Sequence, residues 1–116
     1  MEKVYIKAEY RIPGEVYSSG YICISKEETK GLFALDKVTI KIQKHMLYVY
    51  LEEFDTSCYE YLPVQTYKCR IDSDTLECPN TYVLRFRNVS MQLRLLEKVS
   101  NPKFVSKIFS DYNTYF

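Results

Sequence analysis

Over much of the chain the apolar side chains fall on every second position. Val4, Ile6, Ala8 and Tyr10 alternate with Tyr5, Lys7 and Glu9, the period of a half-buried strand. The turn signal Pro13-Gly14 breaks the run. A second β pattern follows in "VYSSGYICIS", with Gly20 inside it as a bulge or bend. "KEETKG" reads as a polar turn closed by Gly31. The cleanest alternation is "KVTIKIQ", where Val38, Ile40 and Ile42 face one way and Lys37, Thr39, Lys41 and Gln43 the other. Lys44-His45 separates it from "MLYVYLEE", so the two runs form a hairpin without the Asn-Gly signature of the tightest turns. "FDTSCYEYLP" reads as a loop. "VQTYKCRI" turns Tyr67, Cys69 and Ile71 inward, and after the loop "DSDTLECPN" the segment "TYVLRFR" turns Tyr82, Leu84 and Phe86 inward.

The period then changes. Val89, Leu93, Leu96 and Val99 recur at helical spacing behind Asn88, a credible N-cap. Asn101-Pro102 interrupts, because proline disfavours helical geometry in the residue before it and is welcome at the first position of a new helix. Phe104, Val105, Ile108, Phe109 and Tyr112 continue the stripe. The pattern predicts one helix kinked at Pro102, or two helices sharing a corner. The expected fold is therefore α+β and mainly β. Six to seven antiparallel strands, in two sheets or a partly open barrel, precede a C-terminal helix, and residues 1–116 form a single domain.

Composition adds limits more than directions. Hydrophobic residues make up 47% of the 116 positions, enough for a packed core without a metal or disulfide staple. Twelve Tyr and six Phe without a Trp favour strands and surfaces where one end of a ring stays wet. Net charge is +1, so no global field selects nucleic acid or membrane. Residues 51–80 nonetheless carry seven carboxylates against Lys68 and Arg70, while residues 81–116 are basic. No secretory h-region opens the sequence and no apolar run reaches the ~18 residues of a membrane span. Cys23, Cys58, Cys69 and Cys78 lack C-x-x-C spacing and read as reduced thiols of a cytoplasmic or nuclear protein. A Cys58–Cys78 disulfide and use of the sequon Asn88-Val89-Ser90 both require a signal sequence upstream.

Candidate chemistry is sparse. His45 is the only histidine, so any Ser/His/Asp or Cys/His set must use it, and a hairpin turn beside Lys44 is a poor place for a tuned base. One histidine and irregularly spaced cysteines do not make a tetrahedral zinc set. Asp72-Ser73-Asp74-Thr75-Leu76-Glu77 lacks the glycine and the bidentate glutamate of a calcium loop and reads as a turn. The Glu pairs in "KEETKG" and "LEEF" have no apolar pocket to tune them. Three glycines do not build a phosphate loop. No catalytic residue, metal or cofactor is assigned, and the expectation is a protein that is not an enzyme.

Two surfaces remain. Lys37, Lys41, Lys68, Arg70, Arg85 and Arg87 all point away from the core if the strand phases hold. Basic residues among tyrosines suit an anionic surface or single-stranded nucleic acid, although "YVLRFRNV" lacks the glycines of an RNA-recognition motif. Along the C-terminal segment Met91, Leu95, Phe104, Phe109 and Tyr112 exceed one narrow stripe, and the surplus points to another protein chain or to self-association.

In element order, strands first and a closing helix last, the chain resembles the pleckstrin-homology-like superfamily. An OB-like barrel or a generic sheet-plus-helix domain fits the same order. In the superfamily two antiparallel sheets form a partly open barrel whose end the last helix plugs, and the tryptophan often found in that helix is missing here. Lipid-binding members carry several basic residues in the first hairpin loop. "RIPGEVYSSG" offers Arg11 alone beside Glu15, which argues against a phosphoinositide. Many domains of this layout bind peptides at a sheet edge or beside the closing helix. The functional expectation is a non-enzymatic protein-interaction domain or subunit of an intracellular assembly, with nucleic-acid or anionic-surface binding as the alternative.

Overall fold

A computed structural model of the protein describes residues 3–26, 28–34 and 36–111, with the backbone alone at Val64 and Asp111. Eight strands run β1 Val4–Arg11, β2 Ser18–Ile24, β3 Thr29–Phe33, β4 Asp36–Gln43, β5 Met46–Asp55, β6 Glu60–Arg70, β7 Asn80–Phe86 and β8 Val89–Lys98, followed by one helix, α1, Pro102–Asp111. Each strand pairs antiparallel with its sequence neighbours, and β8 returns to β1, so the sheet closes into a barrel in simple up-and-down order. This overturns the expectation of six to seven strands in two sheets or a partly open barrel. Two local misreadings account for the difference.

The first is "TKGLF". Residues read as the end of a polar turn form β3, with Gly31 opposite both Ile22 and Val38. A Cβ on Gly31 would lie 2.5 Å from Val38 Cγ2 and 2.8 Å from the Phe33 ring. The glycine is there so that the Phe33 ring, fully buried, can fill the interior. Gly20 marks an equally close approach, since its Cβ would meet the Leu32 carbonyl oxygen at 2.0 Å. The register to both neighbours runs through it unshifted, so it is not a bulge.

The second is the segment after Arg87. Val89 and Leu93 satisfy a helical period and an alternating one equally well. Met91, Leu93 and Leu95 decide for alternation, since all three are buried inside the barrel. Arg87-Asn88 is the two-residue turn of the β7–β8 hairpin, with Arg87 at φ 55° and Phe86 opposite Val89. Asn88 caps no helix. The β1–β8 ladder slips at Leu96, with Lys7 opposite Glu97 and Ala8 opposite Leu95, a bulge that adds local twist where the barrel closes. The helix starts at Pro102 instead, where Asn101 Oδ1 accepts from the Phe104 N–H at 3.4 Å. That is the capping-residue and first-turn-proline arrangement of a helix start.

The remaining phases agree with the alternation. Ile6, Ala8, Tyr10, Ile22, Val38, Ile40, Leu47, Val49, Leu51, Tyr67, Tyr82 and Leu84 point inward and pack into one core. The interior is filled with side chains, as in small closed barrels generally. Lys44 and His45 both have positive φ, which a two-residue type I′ hairpin requires, so the turn forms without Asn-Gly. The helix plugs no barrel end. Val105 and Phe109 pack on the outward side chains Tyr5 and Cys23 of β1 and β2, with Tyr21 and Val99 at the margin. No helix among the described residues is long and apolar enough to cross a membrane.

Candidate functional site on the outer face of β4 to β7

Strand alternation sends every second residue of β4, β5, β6 and β7 outward, and the register sets which of them become neighbours. Lys41 lies opposite Tyr48, Tyr48 opposite Lys68, and Lys68 opposite Arg85. Four outward side chains thus form one row across four strands, about 14 Å from end to end at the usual strand spacing. The flanking rows are Thr39–Tyr50–Thr66 and Gln43–Met46–Arg70. None of the three rows contains a carboxylate.

Lys41, Lys68, Arg70, Arg85 and Arg87 are all exposed, and among the described residues none is in an ion pair. The tyrosines stand between them. Tyr48 and Tyr50 present near-parallel rings, 21° apart with centroids separated by 6.4 Å, and Lys41 Nζ lies 5.6 Å from the Tyr50 centroid. Arg87, at the turn, lies 5.3 Å from the Phe86 ring. Phe86 itself packs against the core and against Tyr67 at 6.0 Å, as its inward phase predicts.

Lys68 and Arg85 stand opposite each other across β6 and β7. Like charges directly opposite each other on an antiparallel pair are destabilising. Here they occupy the only β6–β7 pairing among the described residues, at the thinnest seam of the barrel. An open slot of about 430 Å³ lies beside that seam, lined in part by Tyr50, Glu52, Pro63, Thr66 and Phe86.

Of the six basic residues expected on this surface, the structure gathers Lys41, Lys68 and Arg85 in the row, with Arg70 beside it and Arg87 at its upper edge. Lys37 is elsewhere. It is only 5% exposed, its ammonium lies 4.0 Å from the Tyr61 centroid, and it pairs across strands with Glu52. Burial lowers its pKa, with the charge of Lys30 adding to the effect and Glu52 opposing it. Sequence alternation found its face but could not see that Tyr61, in a segment read as loop, covers it.

The residues expected to meet a protein partner are dispersed. Met91 and Leu95 are buried in the barrel and present no surface. Phe109 is half-buried with its ring 6.0 Å from that of Tyr5. Phe104 stands 55% exposed on α1. Tyr112 lies outside the described residues.

The other sequence features are turn and core chemistry. His45 is exposed: its backbone N–H donates to Asp74 Oδ1 at 3.2 Å, and its Nδ1 lies 3.5 Å from the same carboxylate. That contact ties the β4–β5 turn to the β6–β7 loop. Ser73 Oγ bonds the Thr75 N–H and carbonyl, a turn held by its own backbone. All four cysteines are free thiols, and burial raises the pKa of Cys23 and Cys69. Among the described residues no three His, Cys, Asp or Glu side chains are grouped to hold a metal.

One polar cluster escaped sequence reasoning. At one mouth of the barrel the Tyr10 hydroxyl donates to Asp36 and the Tyr67 hydroxyl to Gln65. Burial, the Asp36 hydrogen bond and the charges of Asp36 and Glu53 push the Tyr10 phenol far above its ordinary range. Glu53 is itself shifted upward by burial and by the charges of Asp36 and Glu15. The Tyr10–Asp36 contact joins residues 26 apart in sequence, which no local pattern encodes.

Compared with known protein families, with curated proteins and with solved structures, the chain matches none of them.

Proposed function

We propose that this chain is a non-enzymatic binding module that holds an anionic ligand on the outer face of β4–β7. The observation that carries the reading is the Lys68–Arg85 pair: two cations placed opposite each other, in a carboxylate-free row, at a seam where they oppose folding. A cost of that kind is the usual mark of a functional surface, and an anion bridging the pair would relieve it. Lys41, Arg70 and Arg87, none of them in an ion pair among the described residues, extend the same field. Retention on an immobilised polyanion such as polyphosphate, at low salt, tests the reading. The wild-type chain should be retained and elute on a modest salt increase, and the Lys68→Glu/Arg85→Glu variant should flow through. Equal behaviour of the two proteins sinks it.

A second reading, contact with another protein through α1, rests on Phe104, a large apolar side chain exposed on the helix whose Val105 is completely buried on the barrel. Phe104→Asp should then lower the molar mass seen by light scattering or abolish co-purification of a partner. An unchanged mass and unchanged co-purification would remove it.

A further inference from the structure

We infer that the anion held on β4–β7 is a single-stranded nucleic acid, with phosphates on the cation row and bases on the tyrosine faces; this rests on the proposed anionic-ligand reading and names the ligand class. A bare anion site needs only charge. This face adds three features that charge does not require. First, Tyr48 sits inside the row, between Lys41 and Lys68, not at its margin. Second, Tyr48 and Tyr50 form a near-parallel pair, and base–aromatic stacking accepts any base because every base has a π-face. Third, the slot bordered by Tyr50, Thr66 and Phe86 opens next to the row, with Glu52 also in its wall, so an uncharged planar ring turned out of the strand, and not a phosphate, has a place to enter.

The shape of the surface argues against duplex. The row follows the curved outside of a closed barrel, and the ribbon that extends past the neighbouring strands, Glu53–Asp55 paired with Glu60–Leu62, carries three carboxylates that a major groove would repel. Bases already stacked inside a duplex are not available to Tyr48 and Tyr50. Single strands offer splayed bases and a flexible backbone that can follow the row. Neutralisation of about three phosphates by Lys41, Lys68 and Arg85 predicts a salt slope near −2 in log affinity against log salt.

The test is fluorescence anisotropy on the full chain with three probes of matched charge: an oligothymidylate, a duplex of half that length and polyphosphate. Expected are preference for the single strand over both competitors and a Tyr48→Ala loss of about 5- to 150-fold on the oligothymidylate. Tyr48→Ala should leave polyphosphate affinity unchanged, and Tyr48→Phe, which keeps the ring, should bind oligothymidylate like wild type. Circular dichroism of both variants controls for folding. Equal affinity for oligothymidylate and polyphosphate, or a Tyr48→Ala variant that binds like wild type, overturns the nucleic-acid assignment and leaves the anionic-ligand reading standing. Failure of all three probes to bind at low salt overturns both.

Discussion

On the outer face of β1 and β8, Arg94 reaches Glu9 at 3.2 Å across the strand pair, and the guanidinium groups of Arg11 and Arg94 each lie 5.0 Å from the Tyr17 ring. Tyr17 in turn donates its hydroxyl to Gln92 at 2.8 Å. On the outer face of β4–β7 the same residue types, arginine, lysine and tyrosine, stand in rows without a carboxylate. On the first face Arg11 and Arg94 share the Tyr17 ring and Arg94 also has the Glu9 carboxylate. On the second, Lys41 and Arg87 have a ring nearby. Yet among the described residues none of the cations in the rows is in an ion pair, and two of them stand opposite each other at the thinnest seam. Composition does not distinguish the faces. Register does, by placing Glu9 opposite Arg94 on one and Lys68 opposite Arg85 on the other.

Charge reversal on each face should break this comparison if it is false. Replacing Lys41, Lys68 and Arg85 together with Glu should abolish polyanion binding, whereas Arg11→Glu/Arg94→Glu should weaken it only slightly through net charge. Equal losses from the two faces, measured by anisotropy at fixed salt, would mean that the whole-protein field and not the row is responsible.

A sharper and smaller effect is expected from Lys68→Glu alone. It turns a like-charged pair into an opposite-charged one, so stability should rise by about 0.2–1 kcal/mol while anion binding falls. Chemical denaturation and binding run on the same variant should therefore move in opposite directions. A variant that loses both stability and binding would show Lys68 to be a structural residue.

On the satisfied face the balance is the reverse. Glu9→Gln should cost no more than about 1 kcal/mol, since Arg94 is substantially exposed and exposed ion pairs are weak. The loss should shrink as salt is raised, and binding at β4–β7 should not change. A binding change in Glu9→Gln would couple the two faces and dissolve the distinction between them.

The barrel mouth provides the same crowding with the opposite sign of charge, and the smallest expected effect. Burial and the neighbouring Asp36 and Glu15 carboxylates raise the pKa of Glu53 above its ordinary 4.5. A carboxyl whose folded pKa is raised binds its proton more tightly folded than unfolded. It therefore adds stability as pH falls through the raised folded value towards 4.5, and withdraws that stability as pH rises again. Glu53→Gln should flatten the thermal-stability profile in that window and raise stability slightly at neutral pH. An unchanged profile would show that solvent screens the crowding.

The strand phases show how far local patterning carries. Val38, Ile40 and Ile42 against Lys41 and Gln43, or Tyr82, Leu84 and Phe86 against Arg85, are fixed by a two-residue period that any half-buried strand must obey. So Lys41, Lys68 and Arg85 were legible as outward-facing before any fold was known. So was Pro102, whose missing N–H and fixed φ suit the first turn of a helix and little else. Residues 89–98 were not legible, because Val89 and Leu93 fit both periods and only the demand of β1 and β7 for a closing partner selects alternation. Nor was β3, whose Gly31 carries the signature of a turn until the Phe33 ring is seen to need its space.

By itself, then, the sequence determined which side chains face out and which face in, because that depends on backbone geometry within one strand. The tertiary structure alone decided which outward residues meet. Closure of the barrel and the register of three hydrogen-bonded ladders bring Lys41, Tyr48, Lys68 and Arg85 into one row and bury Lys37 beneath Tyr61. Contacts between residues distant in sequence carry no local period from which they could be read.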